Sequence, residues 1–308
     1  MIDKTMANSR QNVNNMRCKK IVIRIMLMIP MLIYAFLYSQ AQSVSDTAVI
    51  TVKRDIRYAA APEGIAQDTS SDRLLDLYLP NLKSANRLPV LVFIHGGGFS
   101  GGDKSAKGNV ALCNRIASKG YAVVSINYYL YLKQNKIQGA SAGANMKDGL
   151  PTDGKFHDGL ETAVKMASAD TELALQWIKE NAGTYALDTN RIAISGGSAG
   201  AMTALYTAYR SKQKVLPIRC VVNFWGGLSN TDDMQRNAPP LLTFHGEQDE
   251  LINVAYAYAL HKKMKDRGIQ QSEIHILKNM GHAIYNYITM NEINTIDKFL
   301  TSNMSVNE

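Results

Sequence analysis

Residues 191–202 read RIAISGGSAGAM. Apolar residues push toward a strand, and then Gly196, Gly197, Ser198, Ala199 and Gly200 follow almost without side chains. Two readings compete for this stretch. One is an ordinary tight turn between a strand and a helix. The other is a serine exposed on a strained bend that only small neighbours permit. The stretch fits G-x-S-x-G, which chance alone produces in about one chain in ten at ordinary glycine and serine usage. Its setting carries more weight. "IAI" is strand-like before the serine, and "SAGAMTALYTAYR" is helical after it, the strand–turn–helix context that such a serine requires. A helix starting there aims backbone N–H groups and its positive dipole end at charge developing on a substrate oxygen.

Working outward, short β-branched runs bounded by Gly, Asn or Pro recur on both sides. They are "PVLVFIHG", "YAVVSINYY", "RIAISGG", "CVVNFWGG", "PLLTFHG" and "EIHILKN". Near-continuous apolar runs of this kind suit strands covered on both faces. Amphipathic stretches at 106–119, 160–183, 198–212, 253–267 and 284–303 separate them, an alternation that predicts a mostly parallel sheet flanked by helices. "AVITVKRDIRYA" and "RLLDLYLP" add two earlier strands, expected to be antiparallel, for eight in all. No linker divides the chain after residue 42, which reads as one α/β domain over 42–308. A polar, glycine-rich insertion over 131–157 is too long for a routine connection. It is either a lid or rim over a substrate entrance, or a solvated loop.

In open parallel sheets, ligands bind where strands deliver their carboxyl ends, and the reactive residues gather there. "FIHGGGFSGGD" closes the third strand with His95, Gly96, Gly97, Gly98 and Phe99. Its glycines let backbone N–H groups face an open cleft, where they can bind the oxygen of a tetrahedral intermediate. A phosphate loop is disfavoured: neither a G-x-G-x-x-G with a partner acid nor a P-loop lysine is present. Ser198 needs a base, and there are six histidines to choose from. His95 belongs to the glycine loop, His157 to the insertion, His261 to a helix beside two lysines, and His275 to a strand. His245 ends a strand. His282, in "NMGHAIYN", lies on a loop after the last strand, free to bring its imidazole over Ser198. The imidazole needs an orienting carboxylate. Asp249 in "HGEQDELI" is the candidate, with Glu247 and Glu250 beside it.

The first 41 residues are of another kind. Lys19, Lys20 and Arg24 precede the apolar run "IMLMIPMLIYAFLY", and Ser39 and Ala41 give a small-x-small pattern. That is the order of an export signal. The run is short for a membrane span, which needs about 20 residues; an uncleaved anchor is the lesser alternative, and the only route to a membrane. Removing 1–41 takes away six Lys/Arg and one acid, so the formal charge falls from +8 to +3. The basic balance is then largely a targeting feature, and the case for a nucleic-acid partner lapses. Cys113 and Cys220 are either a disulfide of an exported chain or two buried thiols.

Taken together, "LLDLYLP", "PVLVFIHGGGFSGGDK", "ALQWIKENAGTYALDTNRIAISGGSAGA", "HGEQDELI" and "MGHA" resemble the α/β-hydrolase carboxylesterases. The likeness is greatest to the hormone-sensitive-lipase-like and bacterial feruloyl/acetylxylan esterase group. It implies an α/β-hydrolase fold, a mostly parallel eight-stranded sheet with helices on both faces. It favours Asp249 as the acid, so that Ser198, Asp249 and His282 follow in the family's order. It also implies an oxyanion hole from the N–H groups of Gly97, Gly98 and Ala199, with His95 and Gly96 supporting that loop. The expected activity is hydrolysis of small-molecule or oligosaccharide esters through an acyl-enzyme, rising as pH passes an imidazole pKa near 7, and needing no metal or cofactor. Phe99, Tyr128, Tyr129 and Trp225 are candidates for an aromatic pocket, with core packing as the alternative. The chain departs from the group at Ala201, often Gly there, in the length of its insertion, and in lacking an arginine after Asn127 and Tyr128. A serine peptidase or arylformamidase of the same fold, or a non-catalytic binding relative, are the rival readings.

Overall fold

The eight apolar runs become eight strands of one sheet: β1 (Ile50–Arg57), β2 (Leu74–Pro80), β3 (Leu88–Ile94), β4 (Ala122–Ile126), β5 (Leu187–Gly197), β6 (Ile218–Phe224), β7 (Leu241–Gly246) and β8 (Glu273–Leu277). Their order across the sheet is β1-β2-β4-β3-β5-β6-β7-β8. β1 and β2 pair antiparallel, as does β2 with β4. From β4 through β3, β5, β6 and β7 to β8 every pairing is parallel. The computed structural model describes residues 49–66, 70–81, 86–232 and 234–305, and residues 48–308 form one compact unit. The segment read as an export signal lies outside the described residues.

The apolar runs are continuous because both faces of the sheet are covered. Along β3, Val90, Val92 and Ile94 join one core cluster, while Leu91 and Phe93 join the other. The first cluster is closed by α2 (Asp158–Asn181), α3 (Ala199–Tyr209) and α4 (Ala255–Asp266), through Leu160, Met202 and Leu260 among others. The second is closed by α1 (Lys107–Ala117) and α5 (Ile293–Met304), through Leu112 and Phe299. The ends of α1 to α4 differ from the sequence-based expectations by only a few residues, within the fraying common at helix termini. The last stretch, expected over 284–303, is instead broken by a π-helical turn over Ile288–Glu292, and α5 begins only after it. α2 has an identifiable start. His157 Nδ1 accepts the Gly159 N–H at 3.0 Å, and Asp158 and Glu161 in the first turn complement the helix dipole. α3 is apolar almost all round because it is buried almost all round.

β1 is an edge strand, largely exposed, with a register shift between Lys53 and Ile56 and Asp55 at φ 54°. Such a bulge blunts an edge against pairing with other chains. Its position is held from inside: the ammonium of Lys104, itself almost fully buried, lies 2.6 Å from Asp55 and 2.8 Å from buried Asp76. Cys113 on α1 and Cys220 on β6 are both buried free thiols, so no disulfide forms between them. Burial pushes the Cys113 thiol up to about 12, beyond ready ionisation.

Because β3, β5, β6, β7 and β8 run parallel, their carboxyl ends open on one edge of the sheet. The loops carrying His95, Ser198, Asp249 and His282 all leave from that edge.

Candidate active site

Ser198 caps the start of α3 at φ 55°, ψ −120°, a conformation that side chains rarely adopt. Holding a non-glycine residue there costs on the order of 1–3 kcal/mol, which the surroundings must supply. They do so in two ways. The Ser198 N–H donates to Phe224 O at 3.0 Å, pinning the bend to β6. The flanking backbones also close in until nothing larger than glycine fits: a Cβ on Gly200 would lie 2.0 Å from Ile94 O.

The three predicted residues meet. Ser198 Oγ lies 2.9 Å from His282 Nε2, and His282 Nδ1 lies 2.7 Å from Asp249 Oδ2. The carboxylate only accepts, so Nδ1 carries a hydrogen and Nε2 is left to accept from the serine hydroxyl. Asp249 is buried and nearly saturated with donors. Its Oδ1 accepts the N–H groups of Leu251 and Ile252, each at 2.9 Å. Burial works to raise its pKa, but the hydrogen bonds from His245, His282 and Ile252 outweigh it and hold the carboxyl well below the usual carboxylate range. The neighbouring acids are placed otherwise: Glu247 is exposed and receives the Asn279 N–H at 3.3 Å, and Glu250 is exposed. Trp225 packs edge-to-face against His282, ring centroids 6.2 Å apart, and limits where the imidazole can go.

The glycine loop after β3 lies against this bend. A Cβ on Gly96 would come within 3.3 Å of Ser198 Cβ. Gly97 O accepts from Ser100 and Gly101, at 3.1 and 3.0 Å, in a turn so tight that a Cβ on Gly97 would sit 2.2 Å from Gly101 O. Among the described residues, no backbone carbonyl accepts from the N–H groups of Gly97 or Gly98, of which Gly97 is exposed and Gly98 half-buried. Ala199, the first residue of α3, is fully buried. His95 is buried beneath the loop, its Nδ1 donating to Gly96 O at 2.6 Å. Tyr128 stacks on its ring at 4.6 Å and donates to its carbonyl at 2.9 Å. Burial lowers the His95 pKa, in keeping with a neutral bracing ring.

The aromatic pocket requires a correction. Phe99, Tyr128 and Trp225 have no exposed surface: they lie in the two core clusters, and only Tyr129 of the four is partly exposed. Aromatic residues at strand ends can turn into the core as readily as out of it, and here the loop and bend need that packing. Space for a ligand lies elsewhere. A cleft of about 380 Å³ borders Gly98 and Ser100 on one side and Leu132, Lys136 and Ile137 of the insertion on the other. The insertion is tied to the rest of the domain near its start and at its middle. Leu132 N–H donates to Phe99 O at 3.0 Å, and Asn253 N–H, just past Asp249, donates to Met146 O at 3.0 Å. These two backbone bonds join the insertion to the glycine loop and to the segment after Asp249.

Two residues escaped the sequence reading. His245 lies beside Asp249, and Tyr285 packs its ring against Trp225 at 4.9 Å with its hydroxyl close under Gly197. His245 had a signal, a histidine at a strand end four residues before the candidate acid. Tyr285, in a mixed apolar stretch after the last loop, had none.

A model of the Phospholipase/Carboxylesterase family matches residues 82–303, most of the chain. The chain belongs to this family. Its fold is that of the α/β-hydrolases. Among curated relatives of this family member, Esterase LipQ of Mycobacterium tuberculosis is 23% identical over 273 residues, covering 74% of this chain and 58% of that protein. Acyl-protein thioesterase 1 homolog 2 of Dictyostelium discoideum is 28% identical over 144 residues, covering 46% of this chain and 61% of that one. The chain therefore spans little more than half the length of either. A solved structure described as a truncated form of carbohydrate esterase from gut microbiota superposes with a TM-score of 0.57 at 14% identity, over 85% of this chain and 98% of that one.

Proposed function

We propose that this family member is an exported serine carboxylesterase. The observation that carries the reading is the continuous hydrogen-bonded chain from Ser198 Oγ through His282 to Asp249, with the serine on a strained bend beside the glycine loop. Ser198 Oγ attacks the ester carbonyl carbon while His282 Nε2 takes its proton. Asp249 stabilises the imidazolium and fixes its tautomer. The developing oxyanion is met by the N–H groups of Gly97, Gly98 and Ala199. His282 then gives the proton to the leaving alcohol oxygen as its bond to the acyl carbon breaks. Water, deprotonated by the same imidazole, hydrolyses the acyl-enzyme and restores the serine.

The finer assignment, to the hormone-sensitive-lipase-like and feruloyl/acetylxylan esterase group, rests on "HGGGF" with "GGSAGA". Acetyl or feruloyl esters on carbohydrate are the proposed substrates. The likeness in fold to a carbohydrate esterase is compatible with this, and the cleft beside Gly98 offers room for one half of such an ester. Export rests on the basic, apolar and small-x-small order of residues 1–41. The non-catalytic reading is disfavoured because serine, histidine and aspartate are all present and in contact.

Ser198→Ala is expected to lower p-nitrophenyl acetate turnover by about 10⁴-fold or more. Unchanged turnover in the purified variant would assign the reaction to another residue. Comparing release of acetate, ferulate and peptide products by the wild type separates the ester and peptidase readings.

A further inference from the structure

His245 ends β7 and is fully buried, four residues before Asp249. Its Nε2 lies 2.8 Å from Ile252 O and 3.3 Å from Asp249 Oδ2. A carbonyl oxygen accepts only, so Nε2 carries the hydrogen. Nδ1 has no partner among the described residues. A buried ring with one nitrogen unsatisfied is a cost that an apolar side chain would avoid, which suggests that the other nitrogen does something useful. That nitrogen faces the one carboxylate oxygen that also accepts from His282 Nδ1. Two imidazoles therefore meet on a single oxygen, one from β7 and one from the loop after β8.

We propose that His245 is a positioning residue for the acid: its Nε2–H clamps the Asp249 loop through Ile252 and shares Oδ2 with His282, thereby setting the pH at which His282 becomes a base. The proposal rests on the Ser198–His282–Asp249 reading above. The physical reason is competition. Each donor on Oδ2 draws on its negative charge and weakens what is left to stabilise the His282 imidazolium. Few other charges bear on the site. Glu247 is exposed and turned to Asn279. His275 on β8 stacks on Phe244 and turns its Nε2 toward Glu273. The insertion meets the far end of the acid loop through backbone carbonyls, Met146 O accepting the Asn253 N–H and Lys147 O its side-chain amide.

The test is the pH dependence of kcat/KM for p-nitrophenyl acetate in His245→Leu and His245→Gln. Without the competing donor, His282 holds its proton more tightly. The acid limb of His245→Leu should therefore move up by about half to one pH unit, lowering kcat/KM below the limb by about 3–10-fold. His245→Gln, which returns an N–H near the position of Nε2, should restore the wild-type limb. A purely structural role predicts the reverse, because a loosened Asp249 stabilises the imidazolium less. A limb that stays or moves down in His245→Leu overturns the proposal. Ring ¹⁵N spectra of the wild type give a reading independent of variant folding. Protonated Nε2 with bare Nδ1 on His245 at the pH of full activity is expected, and the opposite tautomer overturns the proposal. Failure of the underlying triad reads out separately, as absence of fluorophosphonate labelling of the wild type.

Discussion

Ser198 and Asp249 are costly residues in different ways. The serine holds a left-handed backbone angle, and the aspartate is a charge removed from water. The cost of the second is met by four donors, two backbone N–H groups on Oδ1 and two imidazole nitrogens around Oδ2. The consequence for stability follows from linkage. A carboxyl whose pKa is depressed by folding contributes stability that is complete above its unfolded value, about 3.9, and is lost as pH falls through the lower folded value. Asp249→Asn should therefore melt below the wild type by a constant margin above about pH 5, and the margin should shrink toward pH 3. Melting temperatures across that range check it; a margin that grows on acidification would contradict the assigned direction.

The turn from β5 into α3 shows what was legible in the sequence and what was not. Small residues around Ser198 follow a steric rule, and the rule can be read directly: Gly200 lies where a Cβ would meet Ile94 O. Gly200→Ala is expected to destabilise the fold by roughly 1–3 kcal/mol through overpacking, measured by denaturant unfolding, with activity reduced in the folded fraction. Wild-type stability in that variant would show that β3 and α3 are less closely joined than the geometry states. The strands were legible because parallel strands buried on both faces leave unbroken apolar runs, as in β3, β4 and β7. The aromatic residues were not, because Phe99, Tyr128 and Trp225 have the same composition in a pocket as in a core. Local pattern carries no information on which way a ring turns at a strand end. The attachments of the insertion were hidden for a similar reason. Its polar composition fits a surface loop, while its two anchors, Leu132 to Phe99 O and Asn253 to Met146 O, are backbone bonds to distant residues.

At the scale of the whole molecule, the parallel sheet places four loops on one edge, and the residues that meet there come from positions as far apart as Gly96 and His282. Order along the chain was the sequence's strongest clue, since Ser198, Asp249 and His282 each follow a strand. The proposed export belongs to this scale too. Expressed in a bacterial host, the full chain is expected in the exported fraction with Gln42 as its first residue, checked by N-terminal sequencing; retention of residues 1–41 would indicate an anchor instead. The central claim is that Ser198 is the nucleophile. The most direct measurement is to treat the purified folded protein with a fluorophosphonate and map the adduct by mass spectrometry. One adduct is expected, on Ser198, and none on Ser198→Ala. No adduct on the folded wild type, or an adduct on a different serine, would contradict it.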